Sequence, residues 1–235
     1  MALISVDRIH LKDRVGPISL DLSDTGLIMI CGPNGSGKSS LLKLMAGLVE
    51  PSSGEIKFHD QSLQRIPISQ RTALISWVPQ SHEVAWPISV SALLGLTPLK
   101  TRSTNELVSL FDLTMPLDQP CDELSGGQLA QVVTARAFAS SPDAVLLDEP
   151  TAALDPRNAH RLLATLKQLS REQLIVVSCH DLNLVARYAD TALLLSKGQV
   201  AQLGKARDVL TRHHLKQVYD HDFNVIDGDT LWIQS

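Results

Sequence analysis

The stretch Gly32-Pro-Asn-Gly-Ser-Gly-Lys38-Ser39 decides the fold of this 235-residue chain. It matches the pattern GxxxxGK followed by Ser or Thr, and it comes directly after the apolar run of residues 26–31. Such a run ending in glycine is typical of a buried parallel strand. Glycines let backbone N–H groups converge on phosphate oxygens, and the N-terminus of a following helix favours a bound anion. The sequence therefore predicts an α/β domain in which a phosphate-binding loop joins a buried strand to a helix.

The side chains of this loop have distinct expected roles. Lys38 is expected to bring a mobile positive charge to the β- and γ-phosphates, and the Ser39 hydroxyl is expected to ligate Mg²⁺. The residues predicted to bind the nucleotide are Gly32, Pro33, Asn34, Gly35, Ser36, Gly37, Lys38, Ser39 and Ser40.

A second apolar run, residues 144–147, ends in two carboxylates, Asp148 and Glu149. Because α/β folds bind ligands at the C-terminal ends of their strands, both acids are expected to reach the nucleotide. Asp148 is expected to approach Mg²⁺ through its water shell, and Glu149 is expected to polarise the attacking water.

Two more polar residues follow predicted strands. Gln80 comes after the run 73–78, and its amide can bond both a Mg²⁺-bound water and the attacking water. His180 comes after the run 174–178, where its imidazole can contact the γ-phosphate. The sequence thus predicts Glu149, His180, Gln80 and Lys38 as catalytic residues, and Ser39, Gln80 and Asp148 as metal ligands.

The segment Leu124-Ser-Gly-Gly-Gln128 predicts a second helix N-terminus with an anion site, formed by Ser125, Gly126, Gly127 and Gln128. The helix is expected to continue to about residue 139. If an insertion separates the two segments, this one cannot easily reach a phosphate held by its own chain. Two copies arranged head to tail remove the difficulty, because each segment then faces the γ-phosphate of the other copy.

The composition narrows the class of protein. The net charge of −4 argues against a general nucleic-acid binder, which would show a basic excess. The three cysteines are widely spaced without a CxxC pair, as in a reduced compartment, and Cys31 and Cys179 are expected to fill apolar strand ends. The first ten residues carry charges where a signal peptide needs an apolar stretch, and no run approaches the roughly 20 apolar residues of a membrane-spanning helix.

The remaining sequence divides into regions of different character. Residues 18–22 alternate as in an exposed-edge strand. Between residues 80 and 124, prolines separate short amphipathic pieces, which favours a mostly helical insertion. The tail after Lys197 is predicted to contain helices and a hairpin, whose strands 223–226 and 229–233 flank the two-residue turn Asp227-Gly228.

In this order, the motifs resemble those of ABC transporter nucleotide-binding subunits over essentially the whole chain. The resemblance implies an α/β fold: a P-loop NTPase (RecA-like) core with an antiparallel β subdomain and a mostly helical insertion. It implies one ABC ATPase domain over residues 1–235, in which 1–80 and 141–235 form the core, β subdomain and tail. Residues 81–140 would be the helical signature subdomain. ATP and Mg²⁺ are the implied cofactors, and a homodimer is the implied assembly.

One feature departs from the family pattern. These subunits usually stack adenine on an aromatic residue upstream of the phosphate loop, but residues 8–16 contain no Tyr, Trp or Phe. His10 and Val15 are candidate substitutes, and the base contact stays unassigned.

Finer resemblances indicate a cargo. The segment 178–190 resembles importers of metal chelates, haem and vitamin B12, and the tail is similar to ATP-binding proteins of vitamin B12 import. This implies an ATP-hydrolysing motor that energises vitamin B12 uptake through a separate integral membrane permease present in two copies. A periplasmic substrate-binding protein would take part indirectly, and the motor would lie peripherally on the cytoplasmic face of the bacterial inner membrane. The alternatives are a ferric-siderophore or haem importer, or a non-transport ABC ATPase such as one of iron–sulfur cluster assembly.

Overall fold

The computed structural model describes residues 2–82, 84, 87–97, 101–228 and 231–234. The strands within these residues are β1 (Ala2–Leu11), β2 (Val15–Ser23), β3 (Gly26–Cys31), β4 (Ser53–Phe58), β5 (Gln61–Ser62), β6 (Ile75–Val78), β7 (Ala144–Asp148), β8 (Leu174–Ser178), β9 (Thr191–Ser196), β10 (Gln199–Gly204), β11 (Asn224–Ile226) and β12 (Trp232–Gln234). The helices are α1 (Lys38–Met45), α2 (Ile68–Leu74), α3 (Val90–Gly95), α4 (Thr104–Phe111), α5 (Gly126–Arg136), α6 (Pro156–Leu169), α7 (Leu182–Tyr188), α8 (Ala206–Val209) and α9 (Arg212–Tyr219).

A six-stranded sheet in the order β10-β9-β3-β8-β7-β6 positions the site. Its strands are parallel except β10, which pairs antiparallel with β9. The order brings β3, β8 and β7 side by side, so the residues that follow these three strands emerge next to one another at one edge. Ligands of open parallel sheets bind at this edge.

The two faces of this sheet bury alternate residues of the central strands. On β3, Leu27 and Met29 belong to one apolar cluster, whereas Ile28 and Ile30 belong to the other. Helix α1 covers the second face with Leu41, Leu42, Leu44 and Met45, all at most 1% exposed. Burying one such side chain contributes about 1.5–3 kcal/mol. The end of β3 and the start of α1 are therefore held firmly on either side of the glycine loop.

A separate four-stranded antiparallel sheet has the order β2-β1-β4-β5. It places the predicted edge strand of residues 18–22 within β2, at the outer edge of this sheet. The mixed α/β architecture with an antiparallel sheet is the one that the sequence predicts.

Helices α3, α4 and α5 lie in the chain between β6 and β7, where the sequence predicts a helical insertion. Both α4 and α5 begin with a capping box, in which Ser103 and Ser125 exchange hydrogen bonds with residues three positions later. Among the helices of the described residues, none is both long and apolar enough to cross a membrane.

Two predicted elements differ in the structure. Ala73 and Leu74 end α2, so the strand predicted at 73–78 begins only at Ile75. This strand is β6, at the edge of the sheet, where Ser76 and Trp77 are half-buried rather than buried. The apolar run of residues 73–75 joins a helix end to a strand start, and its composition does not reveal the boundary.

The predicted two-residue hairpin turn is also wrong. Ile226 pairs with Trp232, so the connection between β11 and β12 spans residues 227–231 instead of Asp227 and Gly228 alone. Residues 229 and 230, predicted to begin the second strand, lie outside the described residues. The tail also begins with a strand, β10, before its helices.

Candidate functional site

The glycine loop between β3 and α1 approaches neighbouring backbone more closely than a side chain allows. Gly32 has φ 149°, and a Cβ there would lie 2.1 Å from the Leu195 carbonyl oxygen. Gly37 has φ 102°, and its Cβ would lie 2.9 Å from the Arg14 carbonyl oxygen. Both positions require glycine, because L side chains rarely adopt these φ values and both close contacts are with backbone. The loop is therefore fixed in a conformation that only this glycine pattern allows.

The Lys38 side chain folds back over the loop. Its Nζ atom donates to the carbonyl oxygens of Gly32 at 2.9 Å and Pro33 at 3.2 Å, and the residue is only 6% exposed. Beside it, the buried Ser36 hydroxyl has no hydrogen-bond partner among the described residues. Both acceptors are neutral carbonyls, so these two hydrogen bonds do not neutralise the buried ammonium group. Its charge is therefore suited to an anionic ligand.

The Ser178 hydroxyl joins Asp148 to the backbone of Glu149 where β7 and β8 end. The Ser178 hydroxyl donates to Asp148 Oδ1 at 2.6 Å and accepts from the backbone N–H of Glu149 at 2.8 Å. Ser178 is fully buried and Asp148 is 3% exposed. Glu149 has φ 48°, in the left-handed region that a residue with a side chain rarely occupies. Ser178 thus fixes the turn that aims the Glu149 side chain, a role that no motif in the sequence indicates.

Three of the predicted catalytic side chains meet at the Glu149 carboxylate. Gln80 Nε2 donates to Glu149 Oε2 at 3.0 Å, and His180 Nδ1 lies 3.6 Å from the same oxygen. The Glu149 side chain is 15% exposed, whereas that of His180 is 58% exposed. Residues that follow β6, β7 and β8 therefore converge on one carboxylate that still reaches solvent.

A cleft of about 730 Å³ opens over this carboxylate. It is lined by Asp13, Arg14, Asn34, Gly35, Ser36, Gly37, Lys38, Ser39, Ser40, Gln80, Glu149 and His180. Its walls thus combine the predicted phosphate loop with the residues around Glu149. Asp13 and Arg14 were not identified from the sequence, and neither His10 nor Val15, the candidate base contacts, lines the cleft.

The second predicted anion site lies elsewhere on the chain. Ser125 caps α5, and its Oγ atom accepts from the Gln128 N–H at 3.2 Å while Gln128 Oε1 accepts from the Ser125 N–H at 3.0 Å. Gly127 packs against the turn before α6, since a Cβ there would lie 2.9 Å from the Ala153 carbonyl oxygen. Among the described residues that line the cleft, none belongs to the segment 124–128.

Two cysteines lie directly beneath the site as apolar filler. Burial raises the pKa of Cys31 to about 12, and burial likewise raises the pKa of Cys179 to about 12. These thiols stay protonated at neutral pH, which agrees with the expected role of Cys31 and Cys179 as apolar fillers at strand ends.

Known proteins share this fold over nearly the whole chain. The family profile described as "ABC transporter" matches residues 15–152. The chain therefore belongs to the ABC transporter family, as an ATP-binding domain with the P-loop NTPase fold.

Individual relatives cover nearly the whole chain. The "Hemin import ATP-binding protein HmuV" of Shewanella denitrificans is 36% identical over 231 residues, covering 92% of this chain and 91% of the relative. The protein of the same name from Escherichia coli O157:H7 is 34% identical, covering 89% and 87%. A solved structure of an inward-facing ABC transporter, described as metal-chelate type, matches 99% of this chain and 96% of its own at a TM-score of 0.80 and 25% identity.

Proposed function

We propose that this chain is the ATP-hydrolysing motor subunit of an ABC importer for haem, working on a separate membrane permease. The observation that supports ATP hydrolysis is the convergence of Gln80, Glu149 and His180 in the cleft beside Lys38. Two hemin-import relatives support haem as the cargo, because they are 36% and 34% identical to this chain over about nine-tenths of both lengths.

The phosphate loop would bind ATP through its backbone N–H groups and Lys38. Lys38 would leave the Gly32 and Pro33 carbonyls for the β- and γ-phosphate oxygens, exchanging neutral partners for charged ones. The remaining contacts would come from the backbone of residues 32–37 and the hydroxyls of Ser39 and Ser40.

The oxygen donors at this edge of the sheet fit Mg²⁺: Ser39 and Gln80 line the cleft, and the buried Asp148, bonded to Ser178, ends β7. The Ser39 hydroxyl, the Asp148 carboxylate and the Gln80 side-chain carbonyl are oxygen donors, which Mg²⁺ prefers. Gln80 uses its nitrogen toward Glu149, so its oxygen remains for a cation or its water. When bound, Mg²⁺ would neutralise charge on the phosphates.

Glu149 would orient and polarise the attacking water. Its left-handed backbone, fixed by Ser178, aims the carboxylate into the cleft, where Gln80 holds one of its oxygens. His180, exposed at the rim, would contact the γ-phosphate and respond to its loss. These residues act by positioning and electrostatics, as expected of phosphoryl transfer.

The segment Ser125–Gln128 would act on a second copy of the chain. The segment does not line the chain's own cleft, and Gly126 has open space around it. In a head-to-tail homodimer, the N-terminus of α5 in each copy would face the γ-phosphate in the other.

A groove of about 650 Å³ is the proposed permease site. Among its lining residues are Trp77, Pro79, Ser81, Leu93 and Leu96, so it lies between the end of β6 and helix α3. Leu96 is 57% exposed, and Gln80 lies in the chain between Pro79 and Ser81. A change at Gln80 on hydrolysis would thus reach the permease directly. This arrangement fits a division into a core of residues 1–80 and 141–235 and a helical subdomain of residues 81–140.

Haem takes precedence over vitamin B12 as the proposed cargo because both relatives are named for hemin import. Vitamin B12 remains the second candidate on the resemblance of the tail, and a ferric siderophore is a third. In each case the subunit would lie at the cytoplasmic face of the inner membrane, with a periplasmic binding protein delivering cargo to the permease.

The deciding experiment is uptake of labelled haem and labelled cobalamin by bacteria that lack their own ATPases for both cargoes. The cells would express this chain together with its matching permease. Haem uptake that disappears with Glu149→Gln is the expected result. Uptake of cobalamin alone would move the assignment to vitamin B12. If the chain hydrolyses ATP but co-purifies with no membrane protein, a non-transport ABC ATPase becomes the better assignment.

A further inference from the structure

The turn between β1 and β2 forms part of the wall of the cleft. Asp13 and Arg14 of this turn line the cleft together with the phosphate loop. The Arg14 carbonyl oxygen packs so closely on two glycines that a Cβ would lie 2.9 Å from it at Gly37 and 2.7 Å from it at Gly198. The Gly198 N–H in turn donates to the Ser36 carbonyl at 2.9 Å. Backbone contacts therefore hold this turn against the phosphate loop, without help from the Arg14 side chain.

The strand order separates this turn from the catalytic side chains. Gly198, on which Arg14 packs, lies between β9 and β10, on one side of β3. Gln80, Glu149 and His180 follow β6, β7 and β8, which all lie on the other side of β3. The phosphate loop follows β3 itself, between the two groups. ATP bound with its γ-phosphate near Glu149 would therefore lie across the loop and extend its ribose and base toward Arg14.

The Arg14 side chain is free to hold a ligand. Arg14 is exposed, and within the part of the chain that the structure describes its guanidinium group forms no hydrogen bond or ion pair. Among the described residues that line the cleft, none is Phe, Tyr or Trp. The planar guanidinium group of arginine stacks on nucleobases, as an aromatic ring does. Arg14 can therefore replace the aromatic residue that is absent from residues 8–16.

The charges at this end of the cleft favour a base over a phosphate group. Asp13, next to Arg14 in the chain, also lines the cleft, and its carboxylate would repel phosphate oxygens. The cation suited to the phosphates is Lys38, which is buried within the loop itself. Adenine is uncharged, so it can stack on the guanidinium group beside Asp13 without electrostatic repulsion.

We propose that Arg14 is the base-binding residue of the cleft, and that its guanidinium group stacks on the adenine ring of ATP. The turn between β1 and β2 then binds the base, while the phosphate loop binds the phosphates. This inference rests on the proposed ATP-binding function, and it assigns a base contact that the sequence pattern leaves open.

The test measures the dissociation constant of ATP with magnesium by calorimetry in three variants of Arg14. In Arg14→Ala it should rise about three- to tenfold, the effect of one lost cation–π stack. Arg14→Lys keeps the charge but loses the flat face, so it should bind ATP as weakly as Arg14→Ala. Arg14→Trp loses the charge but restores a flat face, so it should recover most of the wild-type affinity. Arg171→Ala, an exposed arginine before β8 at the opposite edge of the sheet, is the control and should bind ATP as wild type does.

Melting temperatures without nucleotide should match that of wild type in all three variants, because the turn is held through its backbone. Wild-type affinity in Arg14→Ala would overturn the inference. Recovery of affinity by lysine, or no recovery by tryptophan, would overturn it too, and recovery by lysine would place the guanidinium group on the phosphates. These results leave the proposed function intact. If instead the wild-type chain bound ATP no better than Lys38→Ala, the proposed function would fail and this inference with it.

Discussion

Gln80 Nε2 donates a hydrogen bond to Glu149 Oε2 over 3.0 Å, although 69 positions separate the two residues in the chain. The contact forms because β6 and β7 are parallel neighbours whose C-terminal ends meet at one edge. It links the residue next to the proposed permease groove with the proposed water-orienting carboxylate. Any movement of Gln80 therefore changes the environment of Glu149.

Replacement of Glu149 by glutamine is expected to stop turnover without preventing ATP binding. The amide keeps the size of the side chain but cannot accept a proton from water, so the rate constant kcat should fall by about 10²–10⁴. Phosphate release and ATP calorimetry measure the two effects. Glu172→Gln, an exposed site away from the cleft, is the control. Retained hydrolysis would remove Glu149 from its assigned role.

Replacement of Gln80 by alanine is expected to lower kcat about tenfold, because Glu149 loses the donor that orients it. The affinity for ATP should fall less than it does in Lys38→Ala, since the phosphate loop is untouched and Ser39 and Asp148 remain as oxygen donors for Mg²⁺. In the complex with the permease, the variant should also lose stimulation of ATPase activity by the cargo. Gln70→Ala, exposed on α2, should behave as wild type. Normal stimulation by the cargo in Gln80→Ala would mean that a residue other than Gln80 couples ATP hydrolysis to the permease.

Ser178→Ala tests the residue that joins Asp148 to the Glu149 backbone. The change leaves the buried Glu149 N–H and Asp148 Oδ1 without their shared partner, at a cost of about 1–3 kcal/mol in the free energy of unfolding. It should also lower kcat, because the left-handed turn at Glu149 loses its support. Ser170→Ala is the matched control: Ser170 is 2% exposed and its hydroxyl donates to the Lys167 carbonyl. Equal loss of stability in both, without a difference in kcat, would show that Ser178 is structural only.

The sequence predicts those parts of the site that local patterns determine. The glycine loop and the pair Asp148-Glu149 each follow an apolar run, and the structure has a buried strand before each. The catalytic and metal-binding roles assigned to these residues remain predictions.

The features of the site that the sequence does not reveal are contacts between residues far apart in the chain. Ser178 carries no spacing signal, and its role appears only once β7 and β8 are paired. Arg14 enters the cleft because its carbonyl packs on Gly37, a tertiary contact. The predicted start of β6 is two residues too early because the apolar run continues without a break from the end of α2 into the strand.

Lys38→Ala is expected to weaken ATP binding by about one to two orders of magnitude, as the loss of a charged hydrogen-bond donor implies. In the contacts described above, Lys38 bonds only to neutral carbonyls. The substitution should therefore lower the free energy of unfolding of the unliganded protein far less than it weakens the binding of ATP. Calorimetry and thermal melting separate the two. Lys43→Ala, exposed on the same helix, should retain wild-type affinity. Wild-type affinity in Lys38→Ala would contradict the assignment of the phosphate loop.

Gly126→Asp tests the proposed homodimer. A Cβ at Gly126 meets nothing within 4 Å, and an acid in the first turn of α5 is favoured by the helix dipole, so the variant should fold and bind ATP. In the head-to-tail dimer, however, the carboxylate would face the partner's γ-phosphate, and like charges so placed repel strongly. In a Glu149→Gln background that retains ATP, sedimentation should therefore show a dimer without this change and a monomer with it. Gly95→Asp, whose Cβ also has open space, should still dimerise. An ATP-dependent dimer that tolerated Gly126→Asp would place the second anion site away from the interface.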